Sequence, residues 1–154
     1  MTKLHAYVMI GAPGSGKSFH AKKLSALYNA VIVSGDDIRA ELYGSAEIQG
    51  NWVEIHDRIE QMVADAASAG RPVVLDGTHY RSSYRREAVT LLNSYGYDPV
   101  EAVVCDSSLA TCLARNFKRE RNVPDYVVKA IHSKLQSSLK HIYNESFSHI
   151  HFMY

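Results

Sequence analysis

Eight consecutive residues, Gly11-Ala12-Pro13-Gly14-Ser15-Gly16-Lys17-Ser18, combine backbone freedom, one mobile cation and one hydroxyl in the spacing G-x-x-x-x-G-K-[ST]. That combination suits the holding of a polyphosphate. Glycines allow the backbone to wrap in conformations closed to residues with a Cβ. The successive N–H groups then face a common anion at the start of a helix, whose dipole adds favourable potential. Lys17 supplies positive charge to the terminal phosphates, and the Ser18 hydroxyl suits Mg²⁺. ATP and Mg²⁺ are the expected cofactors.

Hydrolytic motors, GTP-dependent switches and kinases all use such a loop. A GTP-reading protein should carry N-K-x-D, and this chain has none. A motor or AAA-type ATPase should end a strand in Asp-Glu, whereas the corresponding run here is Val74-Leu75-Asp76-Gly77. Phosphoryl transfer by a small kinase is the reaction that remains.

An acceptor side is legible too. In Ser34-Gly35-Asp36-Asp37-Ile38-Arg39, Asp36 follows a short apolar run and is placed to take a proton from an acceptor hydroxyl. Arg39, three residues on, is placed to hold an acceptor anion. The competing structural reading is that Asp36 or Asp37 caps a helix beginning at Ile38. Asp76 and Thr78 end a later apolar run, where they would meet Mg²⁺-bound water or the acceptor. Arg81, Arg85 and Arg86 follow, at least one of them expected to be an ordinary solvated charge. Arg115-Asn116-Phe117-Lys118-Arg119-Glu120-Arg121 is the densest basic segment. It precedes Pro124 and is expected to open a lid over approximately 115–127 that delivers an arginine to the γ-phosphate.

The elements that must position these groups alternate between apolar runs and helical patterns, the mark of a parallel sheet covered by helices. Leu4–Ile10 is a near-continuous apolar strand. Lys17–Tyr28 reads as a helix with Phe19, Leu24 and Leu27 supplying its apolar contacts. Val31–Ser34 is a strand and Ile48–Ala69 a long helix, ended by Gly70-Arg71-Pro72. Strand Val73–Asp76, helix Ser82–Tyr95, strand Val100–Cys105, helices Ser107–Lys118 and Pro124–Tyr143 and strand His149–Tyr154 complete the pattern. His149 and His151 would share one strand face, without a setting that argues for a metal.

A chain of 154 residues with 46% hydrophobic and 21% charged residues reads as one globular domain, 1–154. A net charge of +1 argues against a basic coat for duplex binding and leaves room for a local basic cleft. No run is long and apolar enough for a membrane helix, no secretory leader is legible, and Cys105 and Cys112 read as reduced thiols. These features point to a cytoplasmic protein with no membrane association and no obligate protein partner.

Taken in order, GAPGSGKS, GDDIR, LDGTHYRSSYRRE and RNFKRERNVPDYVV resemble the kinase domain of phage 5′-polynucleotide kinase-phosphatase and the small P-loop kinases around it, zeta-toxin-like kinases included. The resemblance implies an α/β P-loop kinase fold, a five-stranded parallel sheet of order 2-3-1-4-5 with helices on both faces and a short helical lid. It implies Lys17 and Ser18 for ATP–Mg²⁺, Asp36 as general base and Arg39 for the acceptor's phosphate. Asp76 becomes an active-site carboxylate, Arg119 the lid arginine, and Arg115 approaches the adenine. The chain lacks the D-x-D-G phosphatase motif, and reads Asp-Gly-Thr where the phage pattern has Asp-Thr-Asn. The expected acceptor is the 5′-hydroxyl of a polynucleotide. The alternatives are a small-molecule acceptor (a nucleotide-sugar, nucleoside or antibiotic) and a non-catalytic ATP-binding module.

Overall fold

Strand β1 (Leu4–Ile10) is apolar on both faces because it lies in the middle of a five-stranded parallel sheet, ordered β2-β3-β1-β4-β5. The computed structural model describes residues 3–120 and 123–154, so Arg121 of the basic segment and part of the expected lid lie outside the described residues. The other strands are β2 (Val31–Ser34), β3 (Val73–Asp76), β4 (Tyr97–Cys105) and β5 (His149–Met153). The helices are α1 (Lys17–Tyr28), α2 (Gly35–Tyr43), α3 (Trp52–Ser68), α4 (Ser82–Ser94), α5 (Leu109–Lys118) and α6 (Asp125–Leu139), with a short 3₁₀ turn at Ile142–Asn144.

Alternation along the strands divides the core. Ala6, Val8 and Ile10 face one way and join Ile55 and Val63 of α3, Val89 and Leu92 of α4 and Leu135 of α6. Tyr7 and Met9 face the other way with Val74 and Val103, and meet α1 at Ala21 and the half-buried Leu24. A third cluster, Ala12, Cys112 and Val128, ties the glycine loop to α5 and α6. The sheet order is the one expected, and it places the ends of β1, β2 and β3 side by side.

Several local expectations are corrected. Helix α1 has the expected bounds and packs through Leu24, as expected, and Ala21, yet Phe19 and Leu27 are 61% and 73% exposed. Helix α2 begins at Gly35, not Ile38, and its cap is Ser34, whose hydroxyl accepts the Asp37 N–H at 3.3 Å. Neither Asp36 nor Asp37 is the cap; both lie in the first turn, where carboxylates favour the helix dipole. Helix α3 starts at Trp52 because Gly50, at φ +67°, breaks the chain and Asn51 caps it through Val53 N–H at 2.9 Å. Ile48 therefore lies outside the helix, and Trp52 is exposed. Strand β4 begins at Tyr97, ahead of the expected Val100. Pro99 is accommodated by a register shift, in which three residues of β4 advance against two of β1 (Leu4↔Tyr97, Ala6↔Val100). Helix α5 starts after Ser108, its cap, rather than at Ser107, and α6 stops at Leu139 ahead of the 3₁₀ turn.

Candidate active site

In a parallel α/β sheet the crevice opens beyond the carboxyl ends of the strands. Here that edge carries a cleft of about 700 Å³, with Lys17 and Ser18 on its floor and Asp36, Arg39, Asp76 and Arg119 among its walls. Pro13, Gly14, Gly16, Thr78 and Arg115 also line it. Ala12 and Ser15 are buried within the loop itself, and a Cβ on Gly11 would run into Ser15 Oγ. The structure thus brings the predicted residues of four separate segments to one opening.

The glycine loop is held from both sides. Gly14 (φ +82°) has its Cα against the Cys112 carbonyl, where any side chain would collide, and Gly16 (φ +99°) turns the chain into α1. From the loop after β3, the Thr78 carbonyl accepts the Gly11 N–H at 3.1 Å. From the opposite side, Ser107 Oγ donates to the Ser15 carbonyl at 3.0 Å and Arg115 Nη1 donates to the same oxygen at 3.2 Å. Among the described residues, the one buried side-chain polar atom without a hydrogen-bond partner is Ser15 Oγ, in this loop. The N–H groups of the first turn of α1 have no intrahelical acceptor, and Lys17, Ser18 and Phe19, which carry them, line the cleft.

The charges form one coupled group. Lys17 Nζ donates to the Ala12 carbonyl at 3.3 Å, and burial holds its ammonium below the usual lysine range, against the opposing pull of Asp76. Asp36 and Arg119 act on Lys17 as well, from α2 and from the end of α5. Burial pushes the Asp76 carboxyl above its usual range, while Lys17 and a hydrogen bond donated by Ser18 Oγ to Asp76 Oδ2 at 3.2 Å oppose that shift. Arg39 lies 3.4 Å from Asp36 and donates through Nε to the Gln49 carbonyl at 3.4 Å, its side chain 19% exposed against 53% for Asp36. The hard-oxygen pair Ser18 and Asp76 fits Mg²⁺, which takes one or two protein ligands and completes its shell with phosphate and water. The left-handed glycines and the cationic floor fit a polyphosphate.

Three further positions support the site. Arg85 is fully buried and donates to Glu145 Oε1 and Oε2 at 2.7 and 2.8 Å, to the His79 and Ser138 carbonyls and to the Ser82 and Ser138 hydroxyls. It shares the inward face of α4 with Ala88, Val89 and Leu92, at the i, i+3, i+4, i+7 spacing, so a charge at an apolar position was the available signal. His79 sits at φ +45° with Nδ1 2.6 Å from the Met9 carbonyl, fixing the turn that carries Thr78. Ser107 gave no local signal, because its partner lies 92 residues away. Both cysteines are buried and free.

Sheet order, glycine loop and cleft together define a kinase-type P-loop fold. The sequence pattern of the AAA domain family matches residues 7–141, and the chain belongs to that family. At the sequence level no curated protein matches the chain. Among solved structures, a chain of the Pnkp1/Rnl/Hen1 RNA repair complex is similar at a TM-score of 0.79 and 21% identity, over 91% of this chain and 47% of that one. This chain thus spans about half the length of that relative. A chain of the PezAT chromosomal toxin–antitoxin system of Streptococcus pneumoniae matches at 0.72 and 18% identity, over 99% and 67%. A chain of the AvrRxo1-ORF1:-ORF2 structure with ATP matches at 0.71 and 17% identity, over 92% and 50%. The end of β3 nonetheless reads Asp76-Gly77, without the Asp-Glu pair of a motor ATPase. No helix among the described residues is long and apolar enough to cross a membrane.

Proposed function

We propose that this chain transfers the γ-phosphoryl group of ATP to a hydroxyl acceptor, and that the acceptor is the 5′-hydroxyl of a polynucleotide. One observation carries the reading: Asp36 and Arg39, on the first turns of α2, line the same cleft as Lys17 and Arg119, so a proton acceptor and an anion holder face the phosphate floor. Neither is needed merely to bind a nucleotide.

In this reading the loop N–H groups and Lys17 hold the β- and γ-phosphates, and Ser18 and Asp76 hold Mg²⁺, which when bound neutralises phosphate charge. Asp36 accepts the proton of the acceptor hydroxyl as its oxygen bonds to the γ-phosphorus. The bond between that phosphorus and the β,γ-bridging oxygen breaks, and ADP leaves with the electron pair. Arg119 meets the charge on the equatorial oxygens in flight. Arg39, turned from Asp36 toward the cleft, pairs with the phosphate next to the reacting sugar, since a guanidinium fork matches phosphate oxygens. The likeness to a chain of an RNA repair complex supports this choice of acceptor.

Labelled ATP offered with a panel of acceptors tests the proposal. Label should enter a 5′-hydroxyl oligonucleotide and not its 5′-phosphorylated counterpart. Label entering only a free sugar, nucleoside or antibiotic would leave a kinase with a small-molecule acceptor. Label entering nothing, with ATP bound, would leave a binding module.

A further inference from the structure

Beyond the cleft, the loop after β3 and the outer turn of α6 carry a cluster with no part in the chemistry above. The rings of Tyr80 and Tyr84 meet edge to face at 5.4 Å. Arg81 lies over both, its Cζ 5.6 Å from the Tyr80 centroid and 5.8 Å from that of Tyr84. From α6, Lys134 Nζ lies 5.9 Å from the Tyr80 centroid. Arg81 also holds the N-cap position just before α4, where a Ser, Thr, Asn or Asp would ordinarily accept the first N–H groups. Its side chain makes no such cap, and the first turn has no acidic residue. Glu87, three residues on from Tyr84 in α4, acts on the Tyr84 hydroxyl.

This cluster adjoins the cleft. Thr78 lines the cleft and Tyr80 follows two residues later. Val127 and Ile131 of α6 line the cleft, and Lys134 is the next position on that stripe, about 4.5 Å further along the axis. The loop after β3 and α6 thus each supply residues both to the cleft and to this cluster, on the side where the nucleotides that follow a 5′ end would leave the cleft.

We infer that Tyr80, Arg81, Tyr84 and Lys134 form a platform for single-stranded nucleic acid, in which the half-buried Tyr80 supports the exposed Tyr84, a base 3′ of the reacting nucleotide stacks on Tyr84, and its phosphate pairs with the two cations. Tyrosines with arginine and lysine at their faces are the chemistry of sequence-tolerant strand binding. The uncapped start of α4 adds N–H donors for the phosphate. Tyr84 is 41% exposed, so its outer surface is open to a base. The inference rests on the polynucleotide reading above and names the part of the strand that reading leaves unplaced.

The test compares two acceptors and one binding measurement. The acceptors are a 5′-hydroxyl hexanucleotide and a nucleoside 3′-monophosphate; the binding measurement is fluorescence anisotropy of the hexanucleotide without ATP. In Tyr84→Ala the ratio of kcat/KM for the hexanucleotide over the mononucleotide should fall at least about fivefold, and hexanucleotide affinity by a similar factor. Tyr84→Phe should restore both, because the stacking face remains. Lys134→Ala should weaken hexanucleotide binding and flatten its salt dependence. If the wild type phosphorylates the hexanucleotide and Tyr84→Ala leaves the ratio unchanged, the platform is wrong and the proposed function stands. If the hexanucleotide binds through Tyr84 but is never phosphorylated, the platform stands and the polynucleotide acceptor falls. A wild type that neither binds nor phosphorylates it overturns both.

Discussion

Two neighbouring aspartates on α2 line the cleft, and the proposed base is Asp36 rather than Asp37. Asp36 pairs with Arg39 and acts on Lys17, whereas Asp37 gives its backbone N–H to the Ser34 cap. Asp36→Asn keeps the shape and cannot take a proton, so kcat should fall by about two to four orders of magnitude with ATP affinity little changed. Steady-state kinetics of both asparagine variants decide the matter: a silent Asp36→Asn beside a damaging Asp37→Asn reverses the assignment. Asp76 makes a second prediction through its protonation. Its folded-state carboxyl is raised by burial, so near that raised value the folded chain binds more protons than the unfolded chain. The associated stability is present below the unfolded pKa and is lost as pH rises through the folded one. Asp76→Asn should therefore make the ATP-free protein more stable than wild type near neutral pH, and remove that pH dependence from thermal melts. The same variant should lose Mg²⁺-dependent ATP binding, since its amide is a poor Mg²⁺ ligand. A variant less stable than wild type at neutral pH would contradict the account.

At the scale of elements, the loop after β3 is positioned by a charge pair whose arginine is fully buried and whose glutamate is nearly so. Arg85 of α4 and Glu145, just past the 3₁₀ turn, bind bidentately, and Arg85 also holds the His79 carbonyl and the α6 carbonyl of Ser138. Removing Arg85 opens a cavity and leaves the largely covered Glu145 carboxylate unpaired, so Arg85→Ala should cost about 3–5 kcal/mol. For a domain of this size that lowers Tm by about 10 °C, measured by calorimetry. A shift within about 2 °C would show that Glu145 finds water instead. Arg119 follows α5 as its C-cap beside the cleft and is proposed to meet the transferring phosphoryl group, which every acceptor shares. Arg119→Ala should therefore lower kcat by about a thousandfold for all acceptors. Arg39→Ala should instead raise KM for the oligonucleotide alone. The same loss in both kinetic columns for both variants would argue against separate roles.

For the whole molecule, the cleft draws its walls from β1–α1, α2, β3, α5 and α6, so a ligand that fills it bridges elements. ATP with Mg²⁺ should raise the melting temperature, with a stabilisation that grows as the logarithm of ligand concentration and reaches about 2.7 kcal/mol at a hundredfold excess over Kd. Lys17→Ala should remove that gain and abolish transfer while the ligand-free melt stays cooperative. Wild-type turnover in a folded Lys17→Ala protein would end the kinase reading.

Much of this was legible in the sequence because its causes are local. The eight-residue loop carries its own conformational demands, and a central parallel strand must be apolar on both faces. The bounds of α1, β2 and β3 could be read directly, since turn residues and a changing period mark them. Where the reading slipped, tertiary packing had decided. Phe19 and Leu27 look like a core stripe with Leu24, yet the sheet accepts α1 through Ala21 and Leu24, and Phe19 and Leu27 remain outside. The expected strand starts at Val100, yet β4 begins at Tyr97 and the ladder with β1 absorbs Pro99 as a bulge. Arg85 and Glu145 stand 60 residues apart, and Ser107 and Ser15 stand 92 apart. No periodicity links such pairs, because each contact exists only once the helices have docked on the sheet. The chemistry of the phosphate floor was thus written in adjacent residues, whereas the supports that aim it were decided by the fold alone.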